Sequence, residues 1–457
     1  MKKSNTLLFL LFFLFANTFA TSFDDDCACL ETLFSDVAID MSLSLDEKNL
    51  TSKAVIDEIK EVYKMKVYSK IEQKEGIDKK AFASAINYAY AKYSIPNGHV
   101  SVFNDSSNEF FPVFLHQFVY YSELYFVKEN NSYIVYKNYK NIKKGMRYTG
   151  NPENILQTVY NNKILYRYAN FSPTIIKNSI VSIEDKEYKV PVFGNVGSIK
   201  KHKDYDFKNI DNSVYLKIET CNYQDEAQEK HFFNDSKKII KAFSNQKNII
   251  FDFRNNIGGF TKYLDQFVYA LIYDKVTKDN DLEFSEWSRN LNAGEKRINT
   301  ETMINKTRSV GLAPSDYLNY CLQNLDKKYL DNIEEEQVTL TPWFNGKIYI
   351  LINPLTCSAA EDFILRLKKI WGSNVIIIGQ NSNGSVDFID VYRYVLPNSK
   401  IRLSLCAVDF RETNLLKEEC WHGDTMGIYP DYWCKPNEIS NILSLLADNE
   451  KLKKYIE

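Results

Sequence analysis

Hydrophobic and polar positions follow three different patterns along the chain. Between about residues 27 and 95, apolar side chains recur every three or four positions, as in TSKAVIDEIKEVYKMKVYSKI, which predicts amphipathic helices. Between about 105 and 200, short runs rich in Tyr, Phe, Val and Ile, such as SELYFVK and SYIVYKNY, predict strands. From about residue 211, strand-like runs alternate with helical ones, which predicts an α/β layer domain with both sheet faces covered.

These patterns predict three parts of the mature chain. A helical region covers residues 21–104, a β-rich module covers 105–210, and an α/β domain covers 211–457. Function in α/β folds tends to lie at the strand ends.

Residues 1–20 have the layout of a secretory signal peptide. Two lysines precede an apolar run from Leu7 to Ala16, and small residues end at Ala20. No later run approaches the roughly 20 apolar residues that span a bilayer. We therefore expect an exported protein, periplasmic or extracellular, with no membrane span after cleavage following Ala20. A lipid anchor on Cys27 is the less favoured alternative, because no cysteine directly follows the small-residue junction.

Charge and cysteine content narrow the class of protein. The formal net charge is −2, and it becomes −4 when the two signal-peptide lysines are lost, so no global field attracts polyanions and no nucleic acid partner is expected. Eight cysteines in an exported chain can form disulfides, and Cys420 and Cys434, which flank one loop, are the first pair to consider. With no C-x-x-C spacing and five scattered histidines, no metal site is predicted.

The stretch NPLTCSAAEDF, residues 353–363, has two interpretations. Ser358 lies three residues before Glu361 and ahead of an apolar-periodic helix, which is the capping-box pattern. A serine at the turn from a buried strand into a helix also has its hydroxyl beside unpaired N–H groups that can stabilise an oxyanion. Cys357 could be a nucleophile in principle, but its place after an apolar strand favours a buried thiol or a disulfide.

A second stretch, NIIFDFRNNIGGF at residues 248–260, is an apolar strand that ends in polar residues and two glycines. Gly258 and Gly259 permit a close backbone approach and positive φ angles, although a simple turn would use them too. Paired with a strand-to-helix serine about a hundred residues later, they suggest the other half of an oxyanion hole.

At this point the chain resembles the serine peptidase family that contains the carboxyl-terminal (tail-specific) processing peptidases, tricorn protease and the repeats of interphotoreceptor retinoid-binding protein. The matching segments are, in the family's order, YLKIE, IIFDFRNNIGG, GKIYILINPLTCSAAEDF, VIIIGQNSNG and MGIYPD. They cover roughly residues 211–440. The upstream KYSIPNGHVSV resembles the segment that carries a histidine in the tricorn-like branch.

The resemblance implies a role for each matching residue. Ser358 becomes the nucleophile, with an oxyanion hole formed by backbone N–H groups of Ala359 and of the region at Gly258 and Gly259. In the processing-peptidase branch a lysine is the base, but Ser385 stands at that place in GQNSNGS, so a Ser–Lys dyad is not supported. Lys368 and Lys369 cannot easily substitute, because they lie about 15 Å along the helix axis.

The histidine-using branch fits better. It implies His99 of NGHVS as the general base, which takes the serine proton and returns it to the leaving amine. It also implies an acid before the G-[IV]-x-P-D motif, and Asp424 stands there where a glutamate is expected. His422 is an alternative base, and His116, in an apolar run, is interpreted as a core residue.

The same resemblance implies a crotonase/ClpP-like catalytic core and, for the β-rich module, a degenerate PDZ-like fold. The implied activity is that of an exported serine endopeptidase, which hydrolyses peptides or unfolded proteins through an acyl-enzyme and uses no metal or organic cofactor. The absent lysine and the substituted acid keep open a second function. In that alternative, the protein is a catalytically inactive peptide- or lipophile-binding protein on the same scaffold.

Overall fold

The computed structural model describes residues 23–31, 33, 52–68, 77–93, 95–104, 109–112, 115–194, 204–223, 225–274, 278–292, 296–297 and 340–456. The predicted signal peptide, Cys321 and His202 lie outside these residues. Contacts divide the chain into two compact units. The first comprises Met1–Leu115, Gly294–Glu335 and Asp387–Thr413, and the second comprises His116–Ala293, Glu336–Val386 and Asn414–Glu457.

Helices and strands are numbered in chain order. Among the described residues from 52 onward, the α-helices are α1 (Ser52–Tyr68), α2 (Lys79–Tyr93), α3 (Glu226–Ile240), α4 (Lys262–Ile272), α5 (Lys278–Leu291), α6 (Ala359–Trp371) and α7 (Ile439–Leu446). The strands are β1 (Ser101–Asn104), β2 (Glu109–Pro112), β3 (Phe118–Glu129), β4 (Ser132–Val135), β5 (Ile155–Tyr160), β6 (Lys163–Ser172), β7 (Asn178–Ile183), β8 (Lys186–Pro191), β9 (Tyr205–Ile210), β10 (Ser213–Ile218), β11 (Asn248–Asp252), β12 (Lys296–Arg297), β13 (Lys347–Ile352), β14 (Val375–Gly379), β15 (Phe388–Val395), β16 (Ile401–Asp409) and β17 (Tyr432–Trp433).

The first unit contains the two predicted amphipathic helices and an antiparallel sheet. Helix α2 buries Phe82, Ile86 and Ala89, which follow the three- and four-residue spacing of its sequence. The sheet has the order β12-β16-β1-β2, and β15 also pairs with β16. Strand β1 pairs with β16 so that Ser101 faces Ser404, and residues three hundred positions apart therefore share one sheet.

The second unit is built on a six-stranded sheet in the order β17-β14-β13-β11-β10-β9. Strands β10, β11, β13, β14 and β17 are parallel, whereas β9 is antiparallel to β10. All five residues of β11 are buried, as a parallel strand covered on both faces requires. The protein has a mixed α/β fold, as the alternating pattern predicts.

The β-rich region of the second unit consists of a four-stranded antiparallel sheet, in the order β4-β3-β6-β5, and the hairpin β7–β8. Buried aromatic and aliphatic side chains, including Tyr120, Phe126 and Tyr168, form its core. Residues 116–194 contain no α-helix. The prediction of strands is confirmed here, and the PDZ-like interpretation is not.

Three further findings concern the described part of the chain. It contains no helix that is long and apolar enough to cross a membrane. Its His, Cys, Asp and Glu side chains form no group of three that could hold a metal ion. Its cysteines are free thiols, so Cys420 and Cys434, the first pair to consider from the sequence, are not bonded to each other. Cys434 packs into an apolar core with Ile439 and Leu443, whereas Cys420 is only half-buried.

Candidate active site

Ser358 lies at the turn that joins β13 to α6, in an unusual backbone conformation. Its φ is 56° and its ψ is −117°, a region that non-glycine residues rarely adopt. Its N–H donates to Glu361 Oε2 at 2.8 Å, which is one half of the predicted capping box. Such strained strand-to-helix turns hold a nucleophile at the open end of a sheet.

The glycine pair lies against this turn. Gly258 has a φ of 82°, and a Cβ placed there would lie 2.7 Å from Ser358 Cβ and 2.8 Å from the Cys357 carbonyl oxygen. Gly259 has a φ of 133°, and its Cβ would lie 2.1 Å from the Cys221 carbonyl oxygen. Both positions therefore require glycine. The backbone of Gly258 therefore packs directly against Ser358, the candidate nucleophile.

Asn256, which is fully buried, fixes the glycine pair to the serine turn. Its Oδ1 accepts the Gly258 N–H at 2.8 Å, its Nδ2 donates to the Ile218 carbonyl at 2.9 Å, and its own carbonyl accepts the Cys357 N–H at 2.9 Å. The Gly258 N–H is thus already paired. Within the described part of the chain, the Gly259 and Ala359 N–H groups have no hydrogen-bond acceptor.

Glu361 is the residue that sequence reasoning treated only as a helix-start residue. Its carboxylate is fully buried and accepts four hydrogen bonds: from the Ser358 N–H, from Ser382 Oγ at 2.5 Å, and from the N–H groups of Gly384 at 2.7 Å and Ser385 at 3.0 Å. Burial raises its pKa to about 7 against the opposing effect of these donors. Glu361 therefore joins the serine turn to the loop 382–386.

The loop 382–386 carries the hydroxyl of Ser385. Ser385 Oγ donates to Asn383 Oδ1 at 2.9 Å. The far end of the loop is held by Asp424, which is buried and accepts the Val386 N–H at 2.8 Å. In the next residue, the Thr425 N–H donates to the Gly384 carbonyl at 3.0 Å. Asp424 and Glu361 thus both anchor this loop, Glu361 along residues 382–385 and Asp424 at Val386.

His99 belongs to the first unit, where its ring orientation is fixed. Its N–H donates to Asn97 Oδ1 at 2.9 Å, and its Nδ1 lies 2.8 Å from the Phe388 carbonyl oxygen. A carbonyl can only accept, so in the neutral ring Nδ1 carries the hydrogen and Nε2 carries the lone pair. This is the tautomer in which Nε2 can accept a proton.

The other two histidine candidates, His116 and His422, are held by contacts with neighbouring residues. His116 has its Nδ1 3.0 Å from the Asn383 carbonyl and its Nε2 3.3 Å from Asn381 Nδ2, and burial lowers its pKa to about 4. The His422 ring stacks on Tyr429 with centroids 3.6 Å apart.

Cys357 does not have the environment of a reactive cysteine. Burial raises the pKa of its thiol, and its Sγ lies 3.9 Å from Asn383 Oδ1. A protonated thiol is a poor nucleophile. Lys368 donates to the Val375 carbonyl at 2.9 Å and pairs with Asp431.

Residues 212–432, which include Ser358, Gly258, Gly259 and Asp424, match the model of peptidase family S41. Over these residues the chain is similar to peptidase family S41. S41 peptidases are serine proteases that act on peptides or proteins. The resemblance to the processing peptidases and tricorn protease is confirmed, and the relation to interphotoreceptor retinoid-binding protein stays a prediction.

Solved structures similar to this chain include mature CPAF, the photosystem II D1 C-terminal processing protease and tricorn protease. Mature CPAF is 15% identical, with 94% of this chain and 95% of that chain covered and a TM-score of 0.41. The photosystem II D1 C-terminal processing protease is 11% identical, with coverages of 93% and 96% and a TM-score of 0.36. Tricorn protease is 12% identical, with coverages of 89% and 34% and a TM-score of 0.32. Among curated proteins, no match is found.

Proposed function

We propose that this protein is an exported serine endopeptidase that cleaves peptides or unfolded proteins through an acyl-enzyme on Ser358. The observation that carries the proposal is the backbone of Ser358, with a φ of 56°, packed against the backbone of Gly258. Such a conformation costs about 1–3 kcal/mol and persists where the surrounding structure enforces it. A serine that only capped a helix would need no such strain.

In the proposed reaction, Ser358 Oγ attacks the carbonyl carbon of the scissile bond while His99 Nε2 takes the hydroxyl proton. The negative charge that forms on the carbonyl oxygen is stabilised by the N–H groups of Gly259 and Ala359 and by the N-terminal end of α6. The C–N bond then breaks, and the amine leaves with the proton from His99. Water attacks the acyl-enzyme with His99 again as the base, and the acid product is released.

Glu361 and Asp424 act in this proposal by positioning. Both are buried, and both accept N–H groups of the loop 382–386. Glu361 also holds the Ser358 N–H, so the loop and the nucleophile share one anchor. The oxyanion donors and the serine hydroxyl are thereby fixed before substrate binds, and electrostatic stabilisation needs this preorganisation.

Export is supported by the N-terminal pattern of charge and apolar residues. The ring of Phe23 stacks on Tyr63 with centroids 4.4 Å apart and contacts Phe82 at 5.0 Å. Cleavage after Ala20 would leave these ring contacts in the mature protein. Mass spectrometry of the N-terminal peptide of the secreted protein tests the cleavage site.

A fluorophosphonate probe tests the proposed nucleophile and base. We expect labelling of the wild type, none of Ser358→Ala, and labelling slowed at least about 100-fold in His99→Ala, because general-base catalysis contributes about 100- to 10,000-fold. His231→Ala, an exposed residue of α3, is the matched control and should label as the wild type does. Equal labelling of Ser358→Ala and the wild type would exclude Ser358 as the nucleophile.

A second candidate function is that of an inactive peptide- or lipophile-binding protein on the same scaffold. It is favoured by Ser385, whose hydroxyl bonds to Asn383 where the processing peptidases have a lysine base. A wild type that binds peptide or an apolar ligand with the same affinity as Ser358→Ala, labels with no probe and cleaves no peptide would support this function and reject the endopeptidase.

A further inference from the structure

Two large apolar side chains lie exposed on the loop that packs against Ser358. Ile257 is 65% exposed and Phe260 is 48% exposed, and they flank the glycine pair on its two sides. In the same stretch of sequence, Phe251 and Phe253 are fully buried. The loop therefore keeps part of its apolar surface in water while the strand before it buries its aromatic rings completely.

Hydrogen bonds hold both ends of this loop. At its start, the Asn255 N–H donates to Asn353 Oδ1 at 3.0 Å, and Asn353 Nδ2 donates back to Asn255 Oδ1 at 2.9 Å. At its end, the Phe260 N–H donates to the Cys221 carbonyl at 2.7 Å, and the Cys221 N–H donates to the Gly258 carbonyl at 3.0 Å. With both ends held by these hydrogen bonds, the loop leaves Ile257 and Phe260 exposed.

Single exposed apolar residues are common on protein surfaces and need no function. These two differ because they enclose Gly258, whose backbone lies against Ser358. Covering such a side chain recovers about 25 cal/mol for each Å² of apolar surface removed from water. A chain that presents its carbonyl to Ser358 passes this loop and can supply that cover.

The charge beside the loop is already neutralised. The Lys262 ammonium lies 5.9 Å from the centre of the Phe260 ring, and it pairs with Glu229 at 2.6 Å. The ammonium therefore provides little net field to select an acidic residue. What remains for recognition is the apolar surface of Ile257 and Phe260.

We propose that Ile257 and Phe260 are specificity-determining residues that bind a large apolar side chain of the substrate next to the scissile bond. The occupant is an extended segment of unfolded polypeptide, because folded proteins bury most of their large apolar side chains. This assignment rests on the proposed function of Ser358. It adds a preference for leucine-like over small polar residues at the cleaved bond.

Two peptides that differ only in Leu or Ser beside the cleaved bond test the preference. For Ile257→Ser and for Phe260→Ser we expect kcat/KM for the Leu peptide to fall about tenfold, mainly through KM, since one side chain in an apolar site is worth about this factor. The Ser peptide should change less than twofold. Ile180→Ser, which removes a 53% exposed isoleucine of β7, is the matched control and should leave both peptides unchanged.

A binding measurement separates this proposal from the proposed activity. In the Ser358→Ala background, fluorescence anisotropy should show tighter binding of the Leu peptide than of the Ser peptide, and Ile257→Ser should abolish that difference. This result supports the assignment even if the wild type cleaves nothing, in which case only the proposed peptidase activity fails. Equal losses for the two peptides in either experiment, or no loss in the loop variants, would overturn the assignment.

Discussion

The Glu361 carboxylate accepts the backbone N–H of Ser358 at 2.8 Å and, with the same two oxygens, the N–H groups of Gly384 and Ser385. One buried acceptor therefore fixes both the turn of the candidate nucleophile and the loop 382–386. A substitution at Glu361 should therefore disturb the position of Ser358 without removing any group that would contact the substrate.

Glu361→Gln is expected to lower stability and labelling together. A Gln side chain keeps the size but presents an NH₂ group to donors that need an acceptor, which costs about 3 kcal/mol in unfolding free energy. Urea unfolding measures the loss, and fluorophosphonate labelling measures the effect on Ser358. Asp362→Asn removes a negative charge from the same first turn of α6, one residue further along, so it is the control for the loss of charge alone. Full labelling of a folded Glu361→Gln would show that the shared anchor is not needed.

The raised pKa of Glu361 predicts a pH dependence with a definite sign. In the folded protein the pKa is about 7, above the ordinary value near 4.5, so between these values the folded state binds the proton more tightly than the unfolded chain. The contribution of Glu361 to stability therefore falls as pH rises through this window. The difference in Tm between wild type and Glu361→Gln should be larger at about pH 5 than at about pH 8. A difference that grows with pH would contradict the raised pKa.

His116 predicts the opposite dependence. Its pKa is lowered to about 4 from the ordinary 6.5, so its contribution to stability is present above about pH 6.5 and is lost as pH falls towards 4. His116→Phe keeps an aromatic ring beside Phe118 but does not titrate. Its Tm should lie furthest below that of the wild type at neutral pH, and the gap should close on acidification. An unchanged gap between pH 7 and 4.5 would show that His116 is not held neutral by burial.

Gly258→Ala is expected to impair labelling far more than a glycine change elsewhere. The new Cβ would lie 2.7 Å from Ser358 Cβ, so either the serine turn or the loop must shift, and misplacement of this kind costs about 100-fold in rate. Gly145→Ala is the matched control, because Gly145 has a similar φ of 89° but nothing within 4 Å of its Cβ position. Both variants bear the strain of a positive φ. Equal labelling of the two would mean that contact with Ser358 is unimportant.

Cys357→Ala should leave labelling within about threefold of the wild type, because a thiol whose pKa is raised by burial is protonated and unreactive at neutral pH. Iodoacetamide should modify Cys357 in the folded protein slowly. Loss of labelling in Cys357→Ala, with Ser358→Ala unaffected, would instead make the cysteine the nucleophile.

The sequence by itself determined some of the helices and strands, such as α2 and β11, and the place of the two chemical segments. The three- and four-residue spacing that gives α2 and the apolar run that gives β11 are local properties, and they survive in the structure unchanged. The capping pattern of Ser358 and Glu361 and the glycines after β11 are also local, since backbone sterics and cap geometry act over a few residues. These signals were sufficient to find the serine turn.

Tertiary structure decided how these segments act on one another. The sequence suggested the Gly258 N–H as an oxyanion donor, but in the structure this N–H donates to Asn256. Glu361 accepts hydrogen bonds from residues more than twenty positions further along the chain. The tautomer of His99 depends on the carbonyl of Phe388, 289 positions away. No local pattern encodes these partners, because hydrogen bonds between distant residues form only once the sheets have brought their strand ends together, as β1 is brought to β16.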